Sequence, residues 1–212
     1  MTNAHLVTQD ISDDGNQATG NGDNHSEIST TSSSSAACQH PAGIFLERPG
    51  YFTIPSMQDL GSIYDPKNGD CLVENFSIGR VDYGCITFPG LTNVAGMNLD
   101  ELVHIRRKEV HVYPDDARKP PVGQGLNKPA EITLHRIWPL DKQTKNPITD
   151  PNRVIELGYN KKIERATIEM GATFIDYDPV TGSWTFKVIF FTNILINRTV
   201  IQFRIHLNKA TW

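Results

Sequence analysis

The chain has 212 residues, 38% of them hydrophobic, which is enough to bury the core of one domain of ordinary size. Its formal net charge of −4 argues against a surface built throughout to neutralise nucleic-acid phosphates. Three cysteines without Cys-x-x-Cys spacing indicate neither a disulfide framework nor a zinc site, so we expect a reducing compartment.

No segment of the sequence predicts export or membrane insertion. The N-terminus lacks a basic start followed by an apolar run, and the nearest candidate for a span, Val188 to Ile196, is much shorter than the ~18 residues that a membrane helix needs. We therefore expect a soluble intracellular protein.

Composition divides the chain into three regions. Residues 1–42 are mostly Gly, Asn, Asp, Ser and Thr, so we expect a disordered polar arm, which is either functional or a plain spacer. Residues 43–192 have the pattern of one compact domain. Residues 193–212 are a divergent tail that either extends the last strand or has no selected structure.

Helices are predicted where a capping residue precedes a helical pattern. Ser56 and Asn98 can each accept the free backbone N–H groups of a short helix. A longer helix is predicted from about Asn160 to Met170, and Gly171 is placed to end it.

Short apolar runs between turn sequences predict a β-rich α+β domain, in which a sheet core is flanked by a few helices. The clearest strand begins at Ser183, because apolar and polar residues alternate there at period two. The predicted strands are Cys71 to Phe76, Tyr83 to Phe88, Val110 to Tyr113, Glu131 to Trp138, Thr173 to Tyr177 and Ser183 onward.

A segment rich in proline and glycine, Tyr113 to Pro129, is predicted to be a long ordered loop. Loops of this length inside a domain are often functional, although a structural crossover is an equal alternative. If the loop binds a partner, we expect Lys119, Asn127 and Lys128 to contact it.

The sequence contains no conventional catalytic or metal-binding motif. Its seven histidines have no metal-ligand spacing, and no nucleophile elbow, phosphate loop or dinucleotide fingerprint is present. We expect no metal, no cofactor and no small-molecule substrate. The basic run Arg106-Arg107-Lys108 leaves a weak RNA contact open, but the acidic residues that follow it favour a solvated charged face.

Several strings of residues carry a specific resemblance to a known family. In chain order they are Arg48-Pro49-Gly50-Tyr51-Phe52-Thr53-Ile54-Pro55-Ser56, Phe76-Ser77-Ile78-Gly79-Arg80, Phe88-Pro89-Gly90, Asn98-Leu99-Asp100-Glu101, Arg106-Arg107-Lys108-Glu109-Val110 and Gly182-Ser183-Trp184-Thr185-Phe186-Lys187-Val188. They resemble the C-terminal autoproteolytic domain of the 98-kDa Gly-Leu-Phe-Gly nucleoporin family over about Gly43 to Val188.

The resemblance implies a domain that anchors a repeat-bearing chain to nuclear-pore scaffold proteins. It also implies a location in the nucleus, at the nuclear pore, and a role in the transport of protein and RNA. Residues 1–42 contain no Gly-Leu-Phe-Gly repeat, so we expect them not to supply that part of the transport barrier.

The resemblance places the family's self-cleavage site, His-Phe-Ser, on Phe190-Phe191-Thr192. In that reaction a hydroxyl attacks the preceding carbonyl while a base takes its proton, and water then splits the ester. Thr192 keeps a hydroxyl at the nucleophile position, but Phe190 replaces the histidine and accepts no proton. Loss of a general base costs on the order of 10²–10⁴ in rate, or ~3–5 kcal/mol of barrier.

The sequence therefore predicts a docking module that does not cut itself. The alternative is an active serine/threonine-type autopeptidase that cuts between Phe191 and Thr192. Phe190 can also be a packing residue on the face of the last strand, and Thr192 a β-branched strand residue.

Overall fold

A computed structural model describes residues 39–189 and Phe191, together with the backbone of two tail segments, 194–196 and 203–205. None of the helices in this part of the chain is long and apolar enough to cross a membrane. The helices are α1 (Met57–Ile63), α2 (Leu99–Leu102), α3 (Pro151–Glu156) and α4 (Tyr159–Glu169). The strands are β1 (Tyr51–Ile54), β2 (Leu72–Glu74), β3 (Ser77–Arg80), β4 (Gly84–Thr87), β5 (Leu91–Asn93), β6 (Val103–Arg106), β7 (Glu109–Val112), β8 (Ala130–Leu134), β9 (Thr173–Asp178), β10 (Ser183–Val188), β11 (Ile194–Ile196) and β12 (Phe203–Ile205).

A six-stranded antiparallel sheet with the order β1-β3-β4-β8-β10-β9 forms the body of the domain. Its register aligns Ile78, Ile86, Ile132 and Phe186 in one row across four neighbouring strands. All four side chains are fully buried, so this row forms the centre of the hydrophobic core. The predicted β-rich α+β class is confirmed.

Strand β10 has the predicted alternation. Trp184, Phe186 and Val188 are buried, whereas Lys187 is exposed. The Trp184 indole N–H donates to the hydroxyl of Thr167 on α4 at 3.0 Å, which ties this helix to the sheet.

The three predicted helices are present. Ser56 forms a full capping box with Asp59 at the start of α1, and Asn98 accepts the backbone N–H of Glu101 at the start of α2. Helix α4 begins one residue earlier than predicted and is followed by Gly171 in the left-handed conformation, with φ 72°. Helix α3 was not predicted, although its cap, Asp150 before a proline, is a recognisable start signal.

Two strand predictions need correction. The predicted strand Glu131 to Trp138 ends at Leu134, because Arg136 has φ 58° and turns the chain out of the sheet. The described segments of the tail do not extend β10; they form β11 and β12, which join β7 and β6 in a second sheet, ordered β12-β11-β7-β6. Strands β1, β3, β5 and β6 were missed, and each has only three or four residues.

Most of the predicted arm, residues 1–38, lies outside the described residues. The described end of the predicted arm, residues 39–42, packs on the domain. The ring of His40 hydrogen-bonds to the Met57 carbonyl on α1 at 2.7 Å, and Ala42 is buried.

Candidate functional site

The chain after β10 is anchored in the core by Phe191. This residue is 1% exposed, and its ring lies 5.8 Å from the ring of Phe88, which in turn stacks near Phe76 at 6.3 Å. A buried aromatic ring of this size contributes strongly to the packing of the core. Its two neighbours, Phe190 and Thr192, lie outside the described residues, so the base and nucleophile positions stay predictions.

The ammonium group of Lys119 donates a hydrogen bond to the carbonyl oxygen of Phe191. This carbonyl belongs to the peptide bond that the family resemblance identifies as the cleavage site. A cation at a carbonyl oxygen stabilises negative charge on that oxygen, and it also holds an uncut chain in position. Lys119 and Phe191 are 72 residues apart in sequence, so no sequence pattern could have paired them.

Lys119 is positioned by an ordered start to the loop. The Asp115 side chain accepts the Ala117 N–H at 3.0 Å and caps a 3-10 turn, Asp116–Arg118, directly before Lys119. Arg118 then pairs with Glu101 on α2 at 2.5 Å. The turn therefore fixes the direction in which the lysine leaves the backbone.

The rest of the loop is organised around Tyr113. Its hydroxyl accepts the Leu126 N–H at 3.1 Å, and burial raises the pKa of this phenol. A Cβ atom at Gly125 would lie only 2.5 Å from the same hydroxyl, so only glycine fits there. The predicted long ordered loop is confirmed.

Asn127 and Lys128 are buried, and the side-chain nitrogen of each donates hydrogen bonds within the domain. The Asn127 amide nitrogen donates to the Pro120 carbonyl at 2.8 Å. The Lys128 ammonium donates to the Leu91 carbonyl at 2.9 Å and to the Thr92 hydroxyl at 2.8 Å, and desolvation lowers its pKa. Partner contact by Lys119, Asn127 and Lys128 stays a prediction, and the contacts seen for all three are internal.

The second sheet holds the described part of the tail. Strand β7 pairs with β6 on one side and with β11 on the other, where Ile194 faces Val110 and Leu195 faces Glu109. The basic run, Arg106-Arg107-Lys108, lies at the turn between β6 and β7, and Arg106 is 3.9 Å from Glu109. The tail therefore covers an edge of β7 that would otherwise be open to another strand.

No group of three or more histidine, cysteine or acidic side chains in the described range is arranged to hold a metal ion. The fold and the site together define a β-rich domain that holds a distant segment of its own chain through a buried ring, a lysine and a strand edge.

Comparison with known proteins identifies this class. The family model of the Nup98-96 autopeptidase S59, Nucleoporin2, matches residues 48–194. The chain is 44% identical to the nuclear pore complex protein Nup98-Nup96 of Drosophila melanogaster over 185 residues, which are 86% of this chain and 9% of that protein. It is 40% identical to nucleoporin NUP145 of Saccharomyces cerevisiae over 151 residues, which are 68% of this chain and 11% of that protein.

Solved structures agree with the sequence matches. The structure of the yeast heterotrimeric Nup82-Nup159-Nup116 nucleoporin complex contains a chain that matches with a TM-score of 0.58 and 28% identity, over 68% of this chain and 98% of that chain. The C-terminal domain of NUP116 from Candida glabrata matches with a TM-score of 0.55 and 30% identity, over 69% of this chain and 92% of that chain.

The chain belongs to the Nup98-96 autopeptidase S59 family. Its location is accordingly the nucleus, at the nuclear pore. The chain spans about a tenth of the length of the curated relatives that it matches.

Proposed function

We propose that this domain is a docking module of the nuclear pore that holds the chain around Phe191 uncut. The observation that carries the proposal is the double anchorage of Phe191, whose ring is buried against Phe88 and whose carbonyl accepts a hydrogen bond from Lys119. In this function the domain anchors a nucleoporin to the pore scaffold and thereby supports the transport of protein and RNA.

The partners in this proposal are pore proteins, and the docking edge is β7. A partner strand added to β7 would gain the backbone hydrogen bonds that β11 now makes. The uncut tail therefore competes with such a partner from within the same chain. Because a tethered segment has a high effective concentration, this competition lowers the apparent affinity for the partner.

A binding measurement tests the docking function. The yeast Nup82–Nup159 pair is a suitable probe, because these two proteins are assembled with Nup116 in a matching structure. We expect the chain to bind this pair, and deletion of residues 193–212 to raise the affinity by about tenfold or more. Leu195→Pro is the matched control for deletion, since it removes a donor from the β11 pairing while the tail keeps its length.

The possible results distinguish the docking function from competition by the tail. If neither the full chain nor the shortened chain binds the pair or any other pore protein, the docking function is wrong. If both bind with equal affinity, docking stands and competition by the tail is wrong.

Self-cleavage is the second candidate, and the contact between Lys119 and Phe191 is the observation that favours it. The ammonium group would stabilise the oxyanion formed when the Thr192 hydroxyl attacks the Phe191 carbonyl. The chain still lacks the histidine, because Phe190 offers no lone pair for the proton. We therefore place cleavage below docking.

Restoring the histidine at position 190 directly tests the ranking of docking above self-cleavage. Phe190→His should produce cleavage after Phe191, measured as two fragments in a mass spectrum, and Lys119→Met should slow that cleavage. If Phe190→His leaves the chain whole, more than the base is missing from the site. If the parent chain already cuts itself, the uncut docking module is wrong.

RNA contact has the weakest support in this proposal. It would depend on Arg106-Arg107-Lys108, where Arg106 lies near Glu109. Tight binding with a steep salt dependence would be needed to support it. We therefore assign the docking edge to protein partners.

A further inference from the structure

The two-stranded sheet of β2 and β5 exposes aliphatic side chains on its outer face. Val73 and Thr92 face each other on the inner side and are buried. Because side chains alternate along a strand, the neighbouring residues point outward, and Leu72 and Leu91 are 47% and 62% exposed. The two leucines are diagonal neighbours on this face. Leu91 lies opposite Glu74, and Leu72 precedes Glu74 by two residues on the same strand.

This small sheet is held rigidly from within. The Lys128 ammonium donates to the Leu91 carbonyl and to the Thr92 hydroxyl. At the other end, the Asn93 side chain accepts the Cys71 N–H at 3.0 Å and donates to Asp70 at 2.7 Å. A preformed surface of this kind loses little conformational entropy when it binds a partner.

Helix α1 extends the aliphatic surface. Ile63, at the end of the helix, is 42% exposed and lines a shallow depression of about 160 Å³ with Leu72. Two carboxylates, Asp65 and Asp70, line the same depression, and Glu74 lies on the outer face opposite Leu91. The aliphatic side chains therefore have an acidic border.

Within the described residues, the acidic border is not paired with cationic side chains. The Asp65 carboxylate accepts hydrogen bonds from neutral groups, the backbone N–H of Lys67 and the side-chain amide of Asn68. Among the ion pairs formed by described residues, none includes Asp65, Asp70 or Glu74. Against these three carboxylates stand two lysines, Lys67 between α1 and β2 and Lys128 at the Leu91 carbonyl, so the border keeps a net negative charge.

We propose that this surface, formed by Ile63, Leu72 and Leu91 with the carboxylates of Asp65, Asp70 and Glu74, is a second docking site. Its occupant is a short linear protein segment in which aliphatic side chains alternate with Lys or Arg. The negative border favours a cationic partner and repels nucleic acid and anionic lipid. Three half-exposed side chains provide much less than the ~800 Å² per partner of a stable interface between folded proteins, so the partner is a short segment.

The test uses the full chain, labelled with ¹⁵N, and two synthetic peptides of equal length. One peptide alternates Leu with Lys, and the other alternates Leu with Glu. We expect only the lysine peptide to shift amide resonances, and these should belong to residues around Ile63, Leu72 and Leu91. No shift, shifts that map elsewhere, or equal binding of both peptides would overturn the proposal.

Surface variants then test the two components of the site. Leu91→Ser should weaken binding of the lysine peptide about tenfold, because a docked aliphatic side chain is lost. Glu74→Lys should weaken it about threefold at low salt, and added salt should diminish this loss. The matched controls are Ile155→Ser on α3 and Glu164→Lys on α4, both of which replace exposed residues.

The control variants distinguish binding at this site from nonspecific binding of the peptide elsewhere on the surface. If Ile155→Ser or Glu164→Lys weakens binding as much as its counterpart does, the site is wrong. Leu195→Pro should leave peptide binding unchanged, since the tail pairs with β7 and not with β2 or β5. This result separates failure of the second site from failure of docking at β7.

Discussion

The six-stranded and the four-stranded sheet hold their strands in different ways. In the larger sheet, the neighbouring strands β3, β4, β8 and β10 each contribute one side chain to a buried row of aliphatic and aromatic residues. In the smaller sheet, β7 pairs with β6 over four residue positions and, within the described part of the tail, with β11 over two. A buried row of side chains therefore stabilises the larger sheet, whereas β11 is held on the smaller sheet by backbone pairing at the edge of β7, the edge to which we assign the docking partner.

The largest effect is expected from a cavity in the larger sheet. Trp184→Ala removes a fully buried ring and the hydrogen bond to Thr167, so it should lower the free energy of unfolding by about 3–5 kcal/mol. Chemical denaturation measures this change. Lys187→Ala, on the exposed face of the same strand, is the control and should change it by less than about 1 kcal/mol. Equal effects of the two changes would contradict the comparison.

The packing of α4 against the larger sheet should weaken at alkaline pH. Burial raises the pKa of Tyr159 on α4 from 10.0 to about 12, and its ring packs edge-on against Tyr177 of β9 at 5.6 Å. A raised pKa in the folded state gives stability that is complete below pH 10 and is lost as the pH rises through about 12. The full loss is about 2–3 kcal/mol.

Tyr159→Phe is the variant that isolates this contribution. Its free energy of unfolding should fall less steeply than that of the parent above pH 10, because the ionising hydroxyl is absent. Denaturation curves at a series of alkaline pH values provide the measurement. Identical slopes for parent and variant would show that Tyr159 has no such role.

A smaller effect is expected where the loop holds the chain after β10. Lys119→Met leaves the Phe191 carbonyl without its donor, which should cost about 1–2 kcal/mol. Lys119→Arg keeps a donor and should recover part of this loss. Lys161→Met, at an exposed position of α4, serves as the control for loss of one charge, and a loss equal to that of Lys119→Met would contradict the anchoring role.

The smallest effect on stability is expected from the tail. Deletion of residues 193–212 removes β11 and β12 but no described core side chain, so the free energy of unfolding should change by less than about 1 kcal/mol. A large loss would show that the tail is part of the fold and cannot act as an exchangeable strand. The same protein serves in the binding measurement.

Sequence reasoning succeeded where a clear periodicity or a single capping residue decides the local structure. The alternation after Ser183 predicts β10, and the capping residues Ser56 and Asn98 predict two helix starts. It failed for β3, whose four residues include Gly79, because such a short run has no clear periodicity.

Contacts between distant segments could not be predicted from periodicity. The resemblance identified Phe191 as the residue before the cleavage position, but the approach of Lys119 to its carbonyl depends on the path of the whole loop. Lys128 is predicted as a partner contact only from its place in the loop, and the Leu91 carbonyl to which it donates belongs to a strand that the sequence does not predict.

Denaturing mass spectrometry of the purified chain tests the central claim, that the domain holds the chain uncut between Phe191 and Thr192. The account predicts a single species near 23.7 kDa. A species that lacks the last 21 residues, 212 − 191, would contradict it and would make the domain an active autopeptidase.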